Sequence, residues 1–349
     1  MHVFSSLFRT KHISIRYKVE SISGNILCWV KKPDYKLIRK QLIKSKCIDN
    51  NTGFIILNLR SKDIISDNTI MIIFQDFKQI FNVDKIFSLS TLQLTQNLDH
   101  LDLLSQLECL TQLYLNRNQL TNIPSEIGNL TSLRILYLSN NNLENIPSEI
   151  GNLTNLTNLS PYNNELTNIP SEIGNLTNLT KLWLSDNKLT NIPSEIRNLT
   201  NLNYLSLNCN QLTNLPREIG NLTSLIRLCL NCNKLTNIPS GIGNLTNLTY
   251  LDLCRNKLTS IPSEIGKLTN LTKLYLSNNE LINLQSEIGN LTNLTQLNLY
   301  SNQLTNLPSE IGNLTNLKEL SLYHNELTNE FKVQINSWFK NCVVDVNII

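Results

Sequence analysis

Four of the eight cysteines in this chain gather in one stretch, at Cys209, Cys229, Cys232 and Cys254. Grouped thiols are what a zinc site or a redox pair is made from, and Cys229-Leu230-Asn231-Cys232 has the CxxC spacing. Laid along an extended strand, that spacing separates its thiols by about 10 Å, unlike the tight turn of a metal knuckle. Two readings follow: a shared thiol site, or small polar surface residues replaced by Cys. No other constellation suggests chemistry. The chain has no glycine-rich phosphate loop, no HExxH and no nucleophile elbow, and only four His. No acid and base pair stands at a defensible spacing, so the expectation is a non-enzymatic protein that uses no cofactor.

The elements that position these residues are set by a period of 23. It recurs at Pro124, Pro147, Pro170, Pro193, Pro216, Pro239, Pro262, Gln285 and Pro308, which means stacked units. Counted from Leu176, the unit reads LTNLTKLWLSDNKLTNIPSEIRN, apolar at positions 1, 4, 7, 9, 14, 17 and 21 with Asn at 12. Positions 4 to 9, LxxLxL, alternate as a short strand, and successive strands pair in parallel about 4.8 Å apart. On that spacing Cys209 and Cys232, both at position 11, lie about 5 Å apart with Cys254 beside them. Asn at position 12 is expected to form a buried ladder satisfying backbone groups of adjacent turns, because unpaired groups there cost roughly 1–3 kcal/mol each. Pro-Ser-Glu-Ile-Gly suits one turn of 3₁₀ or α helix, with Glu placed to favour its dipole. A lone unit orders 23 backbones on seven aliphatic side chains and cannot stand by itself, so stability is shared between neighbours.

These units resemble leucine-rich repeats, and LPxEIGxLTxLxxLxLxxNxL is similar to the intracellular Ras-group and plant Ras-group type. The resemblance covers ten units over residues 107–327, preceded by a degenerate unit with Leu89, Leu92, Leu94, Asn97 and Leu101 as its framework. It implies an α/β solenoid: a curved horseshoe with a parallel sheet on the concave face and short 3₁₀ or α turns on the convex face. It also implies a protein-binding scaffold without naming the partner.

Composition divides the chain. All nine Phe lie at or before Phe87 or at and after Phe331, and residues 1–90 carry 15 Lys and Arg against 7 acids. The remainder carries 15 against 20, so the overall charge of +3 hides a basic head on a mildly acidic array. The expected organisation is a basic N-terminal α+β module at 1–88, repeats at 89–329 and a C-terminal cap at 330–349, with Phe331, Ile335 and Trp338 on one helical face. Within the head, KKPDYKLIRKQLIKSK at 31–46 has seven basic residues and one acid, open to readings as a solvated helix, a partner or nuclear-entry signal, or a nucleic-acid or membrane contact. Chain-wide, there is no Ala, and Asn, Ile, Lys and Leu abound, which resembles the repeat proteins of giant amoeba-infecting viruses and AT-rich protists.

No apolar run has signal-peptide or membrane-span length, and eight Cys without a paired framework suit a reducing compartment, so a cytoplasmic location is expected. Thirteen Asn-Leu-Thr triplets then read as framework letters and not as glycan acceptors.

Every aromatic residue of the ten repeats stands at position 6, 8 or 10, on the solvent side of the strands. Tyr114, Tyr137, Trp183 and Tyr275 occupy position 8, Tyr204 and Tyr250 position 6, and Tyr162, Tyr300 and Tyr323 position 10. Such residues dominate binding hot spots, although they also shield neighbouring strands. Arg227, Arg255 and Lys273 thicken the positive charge in repeats six to eight, pointing to an acidic or phosphorylated protein segment as partner. The expected site therefore comprises Tyr114, Tyr137, Trp183, Tyr204, Arg227, Tyr250, Arg255, Lys273, Tyr275 and Tyr300. A ubiquitin-ligase adaptor and a nucleic-acid binder working through the basic head are the alternatives. Lastly, Pro161 replaces a leucine at position 9, and a break or bulge in the ladder is expected there because proline has no N–H.

Overall fold

Each repeat places a strand where its leucines alternate and a tight turn where Pro-Ser-Glu-Ile-Gly follows. The computed structural model describes residues 91–93, 110–328, 331, 335, 338 and 343–345. The N-terminal module expected over 1–88, and Leu89, Leu94, Asn97 and Leu101 of the degenerate repeat, lie outside the described residues. The chain divides after Pro161 into two compact units, residues 1–161 and 162–349.

In the first unit, β1 (Thr91–Gln93), β2 (Gln112–Tyr114), β3 (Ile135–Tyr137) and β4 (Asn158–Ser160) pair in parallel in chain order. The second unit holds β5 (Lys181–Trp183), β6 (Tyr204–Ser206), β7 (Arg227–Cys229), β8 (Tyr250–Asp252), β9 (Lys273–Tyr275), β10 (Gln296–Asn298), β11 (Glu319–Ser321) and β12 (Val343–Asp345), again parallel and sequential. Register between repeats advances by 23 residues, so Leu205 pairs Leu228, which pairs Leu251. Equal positions therefore form rows, and each unit is a stretch of leucine-rich solenoid.

The strands span positions 6 to 8 and are shorter than the six residues expected from LxxLxL. At position 5 the ladder splays: the N–H groups of both Arg134 and Ile135 share the Thr111 carbonyl, at 2.7 and 3.0 Å. At position 11 the backbone turns left-handed in every repeat, from Arg117 and Asn140 through Cys209, Cys232 and Arg255 to His324, with φ between 51° and 61°. Asn, Asp and His tolerate that region best, while Cys, Arg and Ser hold it here against their usual preference.

The turns are 3₁₀ throughout the described repeats, as in Ser171–Asn175 and Ser263–Lys267. Proline, or Gln285 in one repeat, sits one residue before each, extended at ψ near 150°, and its carbonyl accepts the first bond, as Pro170 does from Ile173 N–H at 3.1 Å. The residue without an N–H thus stands where only a carbonyl is needed. Inside, the framework leucines and isoleucines have almost no exposure.

The Asn ladder forms as expected. Asn210 Nδ2 donates to the Leu184 carbonyl of the preceding repeat and to Leu207 of its own, both at 3.0 Å, while its Oδ1 accepts the Leu189 N–H at 3.0 Å. The same three bonds recur at Asn233, Asn256, Asn279 and Asn302. A second ladder runs along the other edge, where Asn247 and Asn270 donate to the Thr223 and Thr246 carbonyls of the repeat before, at 2.9 and 2.8 Å. Asn247 and Asn270 each open an Asn-Leu-Thr triplet, and Thr223 and Thr246 each close one.

At Pro161 the missing N–H removes the bond that Leu115 and Leu138 make from the same position to the Tyr137 and Ser160 carbonyls, each at 2.8 Å. Toward the C-terminus, Phe331 and Ile335 are helical and buried, and Trp338 sets its ring 5.8 Å from that of Phe331.

Candidate functional site on the strand face

Residues 6, 8 and 10 of each repeat project from the strands away from the leucine core, and parallel register brings equal positions together. In the first unit this pairs Tyr114 with Tyr137, edge to face at 5.3 Å, and the Tyr114 hydroxyl donates to Gln112 Oε1 at 2.8 Å. Burial, and then Tyr137 beside it, push the Tyr114 phenol above its ordinary range. Tyr162, which opens the second unit, is 40% exposed.

The second unit gathers its aromatics into three separate pairs. Trp183 meets Tyr204 at 5.6 Å, Tyr250 meets Tyr275 at 5.4 Å, and Tyr300 stacks on Tyr323 at 6.0 Å with His324 packed against both. The expected stripe is thus a set of patches. Among the predicted cations, the Arg227 guanidinium lies 4.2 Å from the centre of the Tyr250 ring, Lys273 pairs with Tyr250 across the strands, and Arg255 is exposed on its left-handed turn. From Tyr275 the contact continues, its hydroxyl donating to Gln296 Oε1 at 2.6 Å and Gln296 Nε2 to Glu319 at 2.7 Å. Arg227, Tyr250, Tyr275, Gln296 and Glu319 therefore link repeats six to ten through side chains alone.

A hollow of about 380 Å³ opens in the middle of this line, between Asn231, Cys232, Tyr250, Asp252, Cys254, Arg255 and Tyr275. Asp252 is only 8% exposed. Its Oδ2 accepts from Asn231 Nδ2 at 2.7 Å and its Oδ1 from the Cys254 backbone N–H at 3.1 Å. Burial first, and then this carboxylate, raise the Tyr250 phenol; burial, Glu319 and Asp252 raise that of Tyr275. Both rings accordingly stay neutral with their O–H intact. Asp252 is not among the site residues expected from the sequence. What could have marked it is its row, since position 8 is otherwise occupied by aromatic or small residues with no charge.

The four thiols are free: Cys209 exposed, Cys229 buried, Cys232 and Cys254 between. Burial and the neighbouring Cys232 push Cys209 up to about 12, burial and Asp252 push Cys254 to about 12, and burial and Asp252 bring Cys229 to about 11. Cys254 also accepts a hydrogen bond from Ser277 Oγ at 2.9 Å. Cys209, Cys229 and Cys254 therefore remain protonated near neutrality, the opposite of what a nucleophile or metal ligand needs. Among the described residues no group of three or more His, Cys, Asp or Glu side chains could hold a metal ion, and no helix is long and apolar enough to cross a membrane.

The family described as leucine-rich repeat region matches this chain over residues 58–188, 182–253 and 241–337. A leucine-rich repeat protein of Leptospira interrogans is 29% identical with a TM-score of 0.55, the alignment covering 90% of this chain and all of that one. An internalin of Listeria monocytogenes is 25% identical with a TM-score of 0.62 over 93% of this chain and 90% of its own. A structure of the octameric complex of Latrophilin 3, Unc5D and the leucine-rich repeats of FLRT2 matches at 26% identity and a TM-score of 0.63, covering 74% and 83%. No curated protein matches the chain.

Proposed function

This chain belongs to the leucine-rich repeat family, and from that premise we propose that it is a non-enzymatic scaffold receiving a protein partner on its strand face. The observation that supports this most is the placement of Trp183–Tyr204, Tyr250–Tyr275 and Tyr300–Tyr323 as half-buried pairs on the one face whose positions the repeat leaves free to vary. Rings already held against one another lose little freedom on docking and offer large contact area. A leucine-rich repeat relative solved within an assembly of several proteins supports the same reading. Arg227, Arg255 and Lys273 border the central pair and suit an acidic or phosphorylated segment, since guanidinium groups grip carboxylate and phosphate bidentately.

In this proposal the ten repeats are the working part, the segment around Phe331 and Ile335 covers the end of the last repeat, and the protein acts in the cytoplasm. The adaptor and nucleic-acid alternatives rest on residues 1–88.

Capture from a cell lysate tests the proposal, comparing the full chain with a variant carrying Tyr137, Trp183, Tyr204, Tyr250 and Tyr275 as alanine. A partner lost only from the variant, with circular dichroism unchanged, is the expected result. Equal capture by both would move function off this face and toward the N-terminal residues; ubiquitin-ligase subunits, or nucleic acid released steeply by salt, would then identify which alternative holds.

A further inference from the structure

The hollow at repeats six to eight has an acid for its floor in a region whose exposed charges are basic. Asp252 uses its two oxygens on two neutral donors, the Asn231 side-chain amide and the Cys254 N–H. An ionised carboxylate offers about four acceptor positions, so about half of this one's capacity is unspent. No ion pair reaches it among the described residues: Arg255 lines the same hollow, but it is exposed and makes no salt bridge to Asp252. A carboxylate that is nine-tenths buried yet matched only by neutral groups has been drawn out of water without a counter-charge.

What completes such a site is fixed by its walls. The open oxygen positions call for N–H donors, and the buried charge calls for a cation. Two neutral phenol rings, Tyr250 and Tyr275, call for an apolar stem and attract a positive head placed against them. An anion is repelled from the floor by Asp252 itself. At about 380 Å³ the space lies near the bottom of the range of roughly 300–1,000 Å³ that small ligands occupy, enough for one long side chain.

We propose that this hollow receives a single Lys or Arg side chain of the protein partner. The proposal rests on the scaffold reading above and sharpens it: the central cation enters over Asp252, while acids on either side of it lie against Arg227, Lys273 and Arg255. The partner segment is then an acid–cation–acid sequence, which a purely basic face would not select.

The test uses the full chain and blocked nine-residue peptides of Gly and Ser with a central Glu-X-Glu, where X is Arg, Lys, norleucine or Glu, titrated by calorimetry. Arg and Lys peptides are expected to bind at least about tenfold tighter than norleucine, a difference of about 1.4 kcal/mol. Asp252→Asn, which keeps the size of the side chain and one acceptor oxygen but replaces the other with an NH2 donor and removes the charge, is expected to bring the Arg, Lys and norleucine peptides to equal binding. Equal binding of Arg and norleucine by the unaltered chain overturns the proposal without recourse to any variant, as does a preference that survives Asp252→Asn in a protein with an unchanged urea midpoint. The lysate experiment separates the two levels. Aromatic-dependent capture together with indifferent peptides removes the hollow and keeps the scaffold, whereas loss of both removes both.

Discussion

The Arg227 guanidinium lies 4.2 Å from the centre of the Tyr250 ring one repeat further on, so the central cation of the strand face is tethered to its central aromatic. At an exposed site such a contact is worth about 0.5–1 kcal/mol. A double-mutant cycle of Arg227→Ala and Tyr250→Leu, read by urea unfolding, should return a coupling of about that size. Strictly additive losses would mean that the arginine is free in solution.

Asn256 holds three backbone groups at once: the carbonyls of Leu230 and Leu253 and the N–H of Leu235. Asn256→Ala strands all three inside the protein, at roughly 1–3 kcal/mol for each that water cannot reach. We expect a fall of at least about 3 kcal/mol in the urea unfolding free energy. An exposed replacement in the same repeat, Lys257→Ala, is expected to stay within about 0.5 kcal/mol.

Cys229 makes stability depend on alkaline pH. Burial lifts its thiol from about 9 to about 11, so the folded chain retains a proton that the unfolded chain gives up. The stabilisation is whole below pH 9, falls as pH climbs from 9 to 11, and amounts to something on the order of 2–3 kcal/mol. Urea midpoints at pH 8 and pH 10.5 should differ less in Cys229→Ala than in the parent. Thiol labelling of the native protein at pH 8 should also be much slower than that of the urea-unfolded chain.

Ile335 has no exposed surface, although it lies beyond the last regular repeat. Ile335→Ala should cost about 2–5 kcal/mol, as truncation of a buried aliphatic does. In an array of nearest-neighbour terms that loss is local, so amide exchange should quicken in repeats nine and ten and stay unchanged in repeats five and six. Uniform acceleration would show the array to unfold as one block.

How much of this was legible from the residues varies with the kind of interaction. The strand and turn positions follow from leucine spacing and from Pro and Glu at fixed places, because backbone geometry and burial decide them. The Asn ladder follows from the cost of unpaired groups. The left-handed backbone at position 11 was not legible, since Cys209, Arg255 and Ser301 hide a conformation that Asn140 and Asp186 alone would have suggested. Strand length was overread because the splayed bonds to Thr111 have no letter of their own. The stripe of aromatics became pairs for a similar reason: which rings touch depends on the gaps left by Ser206, Asp252 and Asn298 between them. Asp252 was not singled out from the residues, and only its burial between Asn231 and Cys254 marks it as the floor of a recess.

The direction of the Asn bonds has a consequence for how the chain matures. The N–H of Leu189 is closed by Asn210, that of Leu212 by Asn233 and that of Leu235 by Asn256, always from the repeat that comes later. A ribosome delivers the earlier repeat first. Each coil therefore waits with an open backbone group until its successor has emerged, and completion trails synthesis by one repeat along the array.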